Sequence, residues 1–574
     1  MTQTPTSLVD ILQWRAKDQP HQLAFRFLAD GEKDEVVLSY YELDRHARSI
    51  GALLQSSVKT GDRVLLLLPP GLDFIVSFFA CLYANIIVIP AYPPHSARIE
   101  ISLPIIRRIA VDADATAVIL NSSLYNAIIN QNSIKAEFGN LKLLVTNNKE
   151  INFQPEQWQR PEINSNDIAF LQYTSGSTAT PKGVMISHNN LLSNLALIEK
   201  SFGITKEDQG IFWLPPYHDM GLIGGILQPI YSGTPFTLMP HLLFLQRPIR
   251  WLQAISRFRA TISGGPNFAY SLCTNKIKPE QREQLDLSSW RVAFNGAEPI
   301  YHKTLDQFAD YFAPCGFRRK AFATCYGLAE STLFVVGGTR NVPPRLKNCL
   351  INGIEQNKVI DSPERTEETR TLVSCGQIYS EQKIIIVNAE THELCLPDEI
   401  GEIWVSGSSV ASGYWNKPVE TAFTFGAKLS NDNQDTFLRT GDLGFINEGE
   451  LYVTGRIKNL IISNGKNHYS HDIERCVEAS HPAILPSGCA VFSILNNERE
   501  DLIVVVELAH KLHVSEEEIF NAIHEAVSVN HGLRVTDIRL TRPGAIPRTT
   551  SGKTRHFLCK QYYVEGKLKE IETV

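Results

Sequence analysis

The order of apolar and amphipathic segments is the feature that most constrains the fold. From Leu38 to about Phe334, apolar runs of four to eight residues alternate with longer amphipathic stretches. Continuous apolar strands that alternate with helices are typical of parallel sheets covered by helices. The runs include Arg63 to Leu68, Ile86 to Ile89, Ala117 to Leu120 and Leu141 to Val145. The sequence therefore predicts an α/β architecture for this part of the chain.

A different pattern occupies the stretch from Gln377 to Val453. Short alternating segments are separated there by Gly, Asn and Pro, which predicts a small β subdomain. After Arg456 the pattern returns to helices and strands, with a strand predicted over Leu502 to Glu507 and a helix over Ser515 to Val529. The last roughly one hundred residues are long enough to fold as a separate lid domain.

Length and composition limit the class of protein. At 574 residues the chain exceeds what one hydrophobic core usually supports, so several folded units are expected. Hydrophobic residues make up 43% of the chain and the net charge is -6, which is typical of a soluble globular protein. The absence of a basic excess argues against a nucleic acid partner.

The sequence gives no sign of export or of membrane insertion. Arg15, Lys17 and Asp18 interrupt the region where a signal peptide would have its apolar core. The most apolar stretch, Phe74 to Pro90, ends in proline and is interpreted as a buried helix followed by a core strand. The 10 cysteines lie singly, without a C-x-x-C pair, which disfavours a disulfide framework and a structural metal. These features predict a cytoplasmic protein.

A hydroxyl-rich loop from Thr174 to Gly183 is suited to binding phosphate. It lies between a predicted strand, Ile168 to Tyr173, and a predicted helix, Ser187 to Leu197, that Ser187 can cap. Its glycines permit close backbone approach, its hydroxyl groups donate hydrogen bonds, and Lys182 adds a positive charge. The residues predicted to contact phosphate are Thr174, Ser175, Gly176, Ser177, Thr178 and Lys182. Taken alone, the loop is explained equally well as a solvated turn.

The loop is not a Walker P-loop. No glycine directly precedes Lys182, and no Ser or Thr follows it. A kinase or GTPase is therefore disfavoured, and other motifs have to decide the function. Five further segments contain residues suited to binding a nucleotide or a metal ion: Trp213 to Met220, Phe294 to Pro299, Thr324 to Glu330, Arg439 to Gly444, and Pro547 to Lys553.

In this order, the segments resemble the motif series of the adenylate-forming superfamily, which includes acyl-CoA synthetases, luciferases and nonribosomal peptide adenylation domains. The resemblance runs from about Ser39 to Lys553. It implies a large N-terminal domain, residues 1–455, of two α/β subdomains and a distorted β-barrel at about 377–455. A hinge at 456–460 and a small α+β lid domain at 461–574 would follow, and the lid would rotate between two half-reactions.

Within the superfamily the chain most resembles the fatty acyl-AMP ligases. The segments that carry this resemblance are Leu214 to Leu222, Gly264 to Tyr270, Gly455 to Ile462 and Asn467 to Ser470. A polar stretch at 341–370 falls near the place where these ligases have an insertion. The resemblance implies that this insertion restrains the lid from the posture that uses CoA.

The resemblance implies a reaction in which a fatty carboxylate attacks the α-phosphate of ATP, giving acyl-AMP and pyrophosphate. Negative charge then concentrates on phosphate oxygens, which positioned cations stabilise. Lys553 would bridge carboxylate and α-phosphate, Glu330 would hold Mg²⁺, and His218 would orient the carboxylate. Apart from the resemblance, the alternative interpretations are that Lys553 is an exposed surface lysine, Glu330 a structural glutamate and His218 a structural histidine.

The remaining motif residues match positions that bind the nucleotide, line the acyl tunnel or form the hinge. Tyr326 and Gly327 would pack on adenine, with Gly296, Ala297 and Glu298 along the base edge. Asp442 would accept the ribose hydroxyls, and Arg456 would contact ribose or phosphate. The acyl tunnel would be lined by Met220, Ile223, Ile226 and Phe268, although core packing explains such residues equally well. Lys458 matches the hinge position.

The leading hypothesis is a ligase that delivers the acyl group to the phosphopantetheine thiol of an acyl carrier protein. A CoA ligase is the main alternative, and the departure at Asn464 to Ser470 from the CoA ligase pattern disfavours it. An amino-acid adenylating enzyme would need an acid to bind the substrate ammonium, and Asp219 is the candidate for that role. An inactive scaffold is disfavoured because Lys182, Glu330 and Lys553 are all retained.

Overall fold

The computed structural model describes residues 5–94, 99–146, 154–174, 181–463, 466–496, 499–509, 515–549 and 552–570. The helices are α1 (Leu8–Asp18), α2 (Tyr40–Ser57), α3 (Leu72–Tyr83), α4 (Ile99–Asp112), α5 (Ser122–Ile129), α6 (Asn132–Phe138), α7 (His188–Phe202), α8 (Gln228–Ser232), α9 (His241–Gln246), α10 (Ile249–Phe258), α11 (Asn267–Lys276), α12 (Pro279–Arg282), α13 (His302–Phe312), α14 (Ile351–Ile354), α15 (Pro418–Phe425), α16 (Ser470–Ser480), α17 (Glu516–His531) and α18 (His556–Val564).

The strands are β1 (Leu23–Leu28), β2 (Glu35–Ser39), β3 (Arg63–Leu67), β4 (Ile87–Pro90), β5 (Ala117–Leu120), β6 (Lys142–Val145), β7 (Ile168–Thr174), β8 (Lys182–Ser187), β9 (Gly210–Phe212), β10 (Phe236–Leu238), β11 (Ile262–Gly265), β12 (Val292–Asn295), β13 (Phe322–Gly327), β14 (Phe334–Gly337), β15 (Leu346–Leu350), β16 (Thr369–Val373), β17 (Gln382–Val387), β18 (Gly401–Gly407), β19 (Ala427–Leu429), β20 (Asp432–Asn447), β21 (Glu450–Arg456), β22 (Leu460–Ser463), β23 (Lys466–Tyr469), β24 (Ile484–Asn496), β25 (Arg499–Leu508) and β26 (Val535–Thr541).

Two large sheets confirm the predicted α/β architecture. The six-stranded sheet has the order β6-β5-β3-β4-β7-β8, and the eight-stranded sheet has the order β14-β13-β12-β11-β9-β10-β1-β2. The inner strands of both sheets run parallel, whereas β8, β14 and β2 pair antiparallel at the edges. The carboxyl ends of β9, β11, β12 and β13 therefore meet at one edge of the larger sheet, where ligands of open α/β sheets bind.

Helix α3 and strand β4 lie where the most apolar stretch of the sequence predicts a buried helix and a core strand. Every residue of the helix from Phe74 to Tyr83 is buried, because neighbouring elements cover it on all sides. Over the described residues, no helix combines the length and the apolar character that crossing a bilayer demands.

Helix α7 begins where the sequence predicts and ends later. The Ser187 hydroxyl accepts the Asn190 amide N–H at 3.1 Å, so Ser187 is the N-cap. The helix continues five residues beyond Leu197 to Phe202, because Ile198, Ser201 and Phe202 are buried against the core. Gly203 ends it in the left-handed conformation, at φ +56°.

The predicted β subdomain is an antiparallel sheet of β17, β18, β20, β19 and β21. Before it, β15 and β16 form an antiparallel hairpin, and α14 lies in the connection between these two strands. After it, the C-terminal part contains the β22–β23 hairpin and a sheet of β24, β25 and β26 that packs against α16 and α17. We call the residues from 461 onward the lid.

Candidate active site

A single cavity of about 3360 Å³ brings together most of the predicted site residues. Its walls are the loops at the carboxyl ends of β9, β11, β12 and β13, the β subdomain and the lid. The predicted residues that line it are Lys182, His218, Met220, Phe268, Ala297, Glu298, Tyr326, Gly327, Glu330, Asp442, Arg456, Lys458 and Lys553. Because these residues come from distant motifs, the fold assembles them from the whole length of the chain.

Some predicted residues lie elsewhere. Ser175, Gly176, Ser177 and Thr178 are outside the described residues, and Thr174 is described only by its backbone pairing with Lys182. Gly296 is buried below the cavity wall, where an added Cβ would lie 2.7 Å from the Cys325 carbonyl oxygen. In the described part of the chain, Ile223 and Ile226 pack in the core and are not among the residues that line the cavity.

Asp442 is the hub of a hydrogen-bonded cluster on the side of the β subdomain. The Tyr326 hydroxyl donates to Asp442 Oδ2 at 2.7 Å, and the Arg456 Nε–H donates to Asp442 Oδ1 at 2.6 Å. Strands β20 and β21 place Asp442 directly opposite Arg456. Burial, together with the Asp442 charge, holds the pKa of Tyr326 well above its usual range. Each carboxylate oxygen keeps a further lone pair, so Asp442 is able to accept two sugar hydroxyls as well.

A second group of charged residues surrounds Glu330, just after β13. The Tyr414 hydroxyl donates to Glu330 Oε1 at 2.7 Å, and the Lys182 ammonium lies 5.0 Å from the centre of the Tyr414 ring. Lys458 lies in a short 3-10 helix, Ile457–Asn459, and also lines the cavity. Burial and the nearby charge of Lys182 lower the pKa of Lys458, while Glu330 opposes that shift. Two ammonium groups beside one carboxylate form a site suited to a polyphosphate and its counter-ion.

The donor set is compatible with a magnesium ion that is held mainly by phosphate. Among the described residues, no cluster of three or more His, Cys, Asp or Glu side chains could hold a metal alone. Glu330 supplies one carboxylate at the cavity wall and has lone pairs beyond the one that accepts from Tyr414. Mg²⁺ commonly takes one or two carboxylates, with substrate phosphates and water as its other ligands.

Lys553 enters the cavity from the lid on a closed turn. The Thr549 amide N–H donates to the Lys553 carbonyl oxygen at 2.8 Å, and the Lys553 amide N–H donates to Thr549 Oγ1 at 3.0 Å. Burial lowers the pKa of the Lys553 ammonium, and the charges of Asp219 and Glu298 oppose that shift. The turn therefore presents a cation between two carboxylates.

His218 adjoins this cation and is neutral. Burial, together with the positive charge of Lys553, lowers its pKa to about 3. Asp219, the next residue, accepts the Met220 amide N–H at 2.7 Å, and burial raises its pKa. A neutral imidazole beside an ammonium group offers a hydrogen bond without adding charge.

Glu298 has a partner that the sequence did not predict. Its Oε1 accepts the Phe268 amide N–H at 2.5 Å, so the carboxylate is directed toward the start of α11. Of the predicted base-edge segment, Ala297 lines the cavity with the unusual φ of +70°. A strained backbone in a non-glycine residue is common at binding sites.

The apolar part of the cavity lies along a π-helix, Met220–Leu227. Met220, Gly221 and Gly224 of this segment line the cavity, and so does Gln228 directly after it. An added Cβ at Gly224 would lie 3.3 Å from the Phe212 ring, which also lines the cavity, so a side chain at this position would crowd the space beside that ring. Other apolar lining residues are Ile198, Phe202, Phe212, Phe236, Ile262, Phe294 and Phe334. We call this part the acyl channel, after the role that is proposed for it below; Gly224, which lines it, was not among the residues predicted from the motifs.

The lid is tied to the β15–β16 hairpin and to α13. Arg370 forms an ion pair with Asp472 at 2.8 Å, and Lys466 forms another with Glu355 at 2.8 Å. The guanidinium of Arg475 lies 3.9 Å from the centre of the Tyr301 ring, a cation–π contact. These contacts hold the lid in the position that brings Lys553 into the cavity.

Comparison with known proteins gives consistent matches over the whole chain. A family model described as AMP-binding enzyme matches residues 12–415, and one described as Disco-interacting protein 2-like, AMP domain, matches residues 458–573. The sequence is 43% identical to the medium-chain fatty acid–acyl carrier protein ligase JamA of Moorena producens, over 99% of this chain and 96% of that protein. It is 35% identical to the corresponding ligase TtuA of Teredinibacter turnerae, over 98% and 94%.

Solved structures agree. The fatty acyl-adenylate ligase of L. pneumophila, in complex with acyl adenylate and pyrophosphate, is 42% identical with a TM-score of 0.77, over 98% of this chain and 97% of that one. A structure from a study of fatty acyl-adenylate ligases from E. coli and L. pneumophila is 31% identical with a TM-score of 0.86, over 98% of each chain.

Proposed function

We propose that this chain, which belongs to the AMP-binding enzyme family, activates a medium-length fatty acid as acyl-AMP. It then passes the acyl group to an acyl carrier protein. The observation that carries the proposal is the position of Lys553, which the lid brings to the junction of the acyl channel and the charged part of the cavity. The relatives named as fatty acid–acyl carrier protein ligases support the choice of both substrate and acceptor.

In the first half-reaction an oxygen of the fatty carboxylate attacks the α-phosphorus of ATP. The new oxygen–phosphorus bond forms as the bond to the bridging oxygen of the β-phosphate breaks, and pyrophosphate leaves with that electron pair. Lys553 stabilises the charge that develops on the α-phosphate, and neutral His218 orients the carboxylate. Lys182 and Lys458 hold the departing pyrophosphate. Glu330 would hold magnesium, which when bound supplies positive charge to the phosphate oxygens.

The nucleoside is held by the other wall of the cavity. We assign Asp442 to the ribose hydroxyls and Arg456 to ribose or phosphate, because both line the cavity and are fixed by their mutual hydrogen bond. Tyr326 and Gly327 form the surface for adenine, with the backbone of Ala297 along the base edge and the buried Gly296 directly before it. The glycine and hydroxyl residues from Thr174 to Thr178 are assigned to the β- and γ-phosphates on the sequence motif alone, since Ser175 to Thr178 lie outside the described residues.

The acceptor in the second half-reaction is the phosphopantetheine thiol of a carrier protein, used in lipid, polyketide or lipopeptide assembly. The thiol gives up its proton to solvent, and its sulfur bonds to the acyl carbonyl carbon. The bond from that carbon to the phosphate oxygen breaks, and AMP leaves with the electron pair. We retain the division into an N-terminal domain (1–455), a hinge (456–460) with Lys458 at its centre, and a lid (461–574). The contacts of Arg370 and Glu355 with the lid support an insertion that restrains it from the posture that uses free CoA.

Two alternatives receive less support. An amino-acid adenylating enzyme would use Asp219 to bind the substrate ammonium, but Asp219 accepts the Met220 amide and faces Lys553. An inactive scaffold has no need for Lys182, Lys458 and Lys553 in one cavity. All ten cysteines are free thiols, which supports a reducing, cytoplasmic location.

The test separates the two half-reactions. The enzyme is given ATP and acids from hexanoic to hexadecanoic, and pyrophosphate release is measured; either CoA or a holo-carrier protein is then added and the thioester is measured. We expect pyrophosphate with medium-length acids and thioester with the carrier. A Lys553→Ala variant should lose about a hundredfold or more of the first activity. Efficient acyl-CoA formation would overturn the assignment of the acceptor.

A further inference from the structure

We propose that Glu298 is a positioning residue for adenylation, which fixes the Phe268 segment beside the acyl channel and holds the ammonium of Lys553 at the reacting centre. The inference rests on the proposed function, because it takes Lys553 as the cation of the chemical step. It differs from the expectation that Glu298 lies along the edge of adenine, since the carboxylate is directed toward Phe268 at the start of α11.

The first observation is a hydrogen bond between two neighbouring loops. Strands β11 and β12 run parallel with Gly265 opposite Asn295, so the loops that follow them are adjacent. Glu298, in the loop after β12, accepts the amide N–H of Phe268 in the first turn of α11 at 2.5 Å. Amide groups in the first turn of a helix have no partner within the helix, and a carboxylate there is stabilised by the helix dipole. Glu298 therefore caps α11 from outside.

The second observation is the electrostatic interaction of the same carboxylate with the lid. Burial raises the pKa of Glu298, and the Phe268 amide and the Lys553 charge oppose that shift. Lys553 is faced by the carboxylates of Asp219, Glu298 and Asp442, by the guanidinium of Arg456, and by the His218 imidazole. The carboxylates raise the pKa of the buried ammonium and so favour its charged form, while burial and Arg456 lower that pKa.

The three carboxylates are not equivalent. Asp442 already accepts from Tyr326 and Arg456, and Asp219 accepts from the amide next to it in the chain. Glu298 accepts instead from a different segment, because Phe268 lies in the first turn of α11 and lines the cavity. The Phe268 ring lines the cavity and meets Trp213 edge to face, with ring centres 6.3 Å apart. Glu298 thus contacts the Phe268 segment directly and interacts electrostatically with Lys553 in the same cavity.

The test uses Glu298→Gln, which keeps an oxygen for the Phe268 amide and removes the charge. We expect its thermal midpoint to stay close to that of the parent. Its pyrophosphate release should fall about tenfold at neutral pH. The alkaline limb of its pH–rate profile should move to lower pH, because a lysine that loses a negative neighbour gives up its proton more readily. Transfer from synthetic acyl-AMP to the carrier, which bypasses the step that needs Lys553, should stay within about twofold of the parent.

Two further variants complete the experiment. Glu298→Ala removes the cap as well, so it should raise the KM for the fatty acid in addition to the loss in rate. Glu283→Gln makes the same charge change at an exposed position after α12 and should match the parent in every assay. Equal losses by Glu298→Gln in both half-reactions, or an unchanged rate and pH profile, would overturn the role of Glu298. A parent enzyme that releases no pyrophosphate with any acid would overturn the proposed function itself.

Discussion

Arg370 and Asp472 form an ion pair that joins the β15–β16 hairpin to the lid, with Nη1 and Oδ2 2.8 Å apart. The two side chains are 17% and 23% exposed, so solvent screens the pair only partly. Arg370 also donates to the Thr454 carbonyl oxygen at 3.1 Å and lies over the Tyr469 ring. One guanidinium thus connects the hairpin, the β subdomain and the first turn of α16.

Breaking this pair should loosen the lid. Asp472→Asn leaves the Arg370 charge without its acidic partner in a partly buried position, so we expect lower thermal stability and some transfer to free CoA. Arg370→Gln should behave similarly, and the double variant should lose less than the sum of the two single losses. Thermal denaturation and acyl-CoA formation measure the two effects. Strictly additive losses would show that the pair does not couple the hairpin to the lid.

The acyl channel should become shorter when Gly224 is replaced by valine. The new side chain begins where a Cβ lies 3.3 Å from the Phe212 ring, so it occupies space that the chain of the substrate needs. We expect long acids to lose about tenfold or more in kcat/KM relative to hexanoic acid, with the KM for ATP unchanged. Pyrophosphate release over a series of acids measures this change. An equal loss for all acids would place Gly224 outside the channel.

The assignment of Asp442 and Tyr326 to the nucleotide predicts that substitutions of these two residues raise the KM for ATP to different extents. Asp442→Asn removes the charge that Arg456 and Tyr326 both contact, so it should raise the KM for ATP by about tenfold or more. Tyr326→Phe keeps the ring and removes one hydrogen bond, so its effect should be smaller. The KM for the fatty acid is the internal control and should change little in either variant. A larger effect of Tyr326→Phe would contradict the assignment of Asp442 to the ribose.

Stability should fall as the pH drops below neutral, in part because of His188. This residue is 1% exposed, and burial lowers its pKa from 6.5 to about 4, with Asp167 opposing the shift. Between these values the unfolded chain binds a proton that the folded protein excludes, so the stability is present above pH 6.5 and is lost as the pH falls toward 4. The loss from this group at pH 5 is about 2 kcal/mol.

Unfolding of a His188→Asn variant at several pH values measures this contribution. Its midpoint should depend less steeply on pH over that window than the midpoint of the parent. His21→Asn, a change of the same kind at an exposed position, should leave the pH dependence as it is in the parent. A variant at position 188 with the slope of the parent would contradict the prediction.

The sequence predicted those helices and strands that have a repeated or continuous hydrophobic pattern. Strand and helix patterns predicted the α/β architecture. The motifs identified residues that line one cavity, because each motif follows a strand of one of the two large sheets or belongs to the β subdomain or the lid. Partners distant in the chain were not predictable. Tyr414 reaches Glu330 across 84 residues, and Arg370 reaches His471 across 101. Such pairs depend on how the sheets and the lid pack, which no local pattern records.

The direction of individual side chains was the other feature that could not be predicted from the sequence. Ile223 and Ile226 belong to the same segment as Met220 and Gly224, yet they face the core, because the π-helix presents only one of its faces to the cavity. The motif around Glu298 identified the residue and its neighbours in the chain but not the direction of its carboxylate. That direction is set by the Phe268 amide in the first turn of α11.

Lys553 is carried by a turn whose backbone is closed on itself through Thr549. The side chain is therefore attached to the lid, and a displacement of the lid would carry its charge out of the cavity. Under the proposed function, pyrophosphate could then no longer react back with acyl-AMP at an appreciable rate, because the reverse reaction would need the same cation as the forward one. Lid movement would thus give the pathway its direction and keep acyl-AMP from reverting to ATP and free acid.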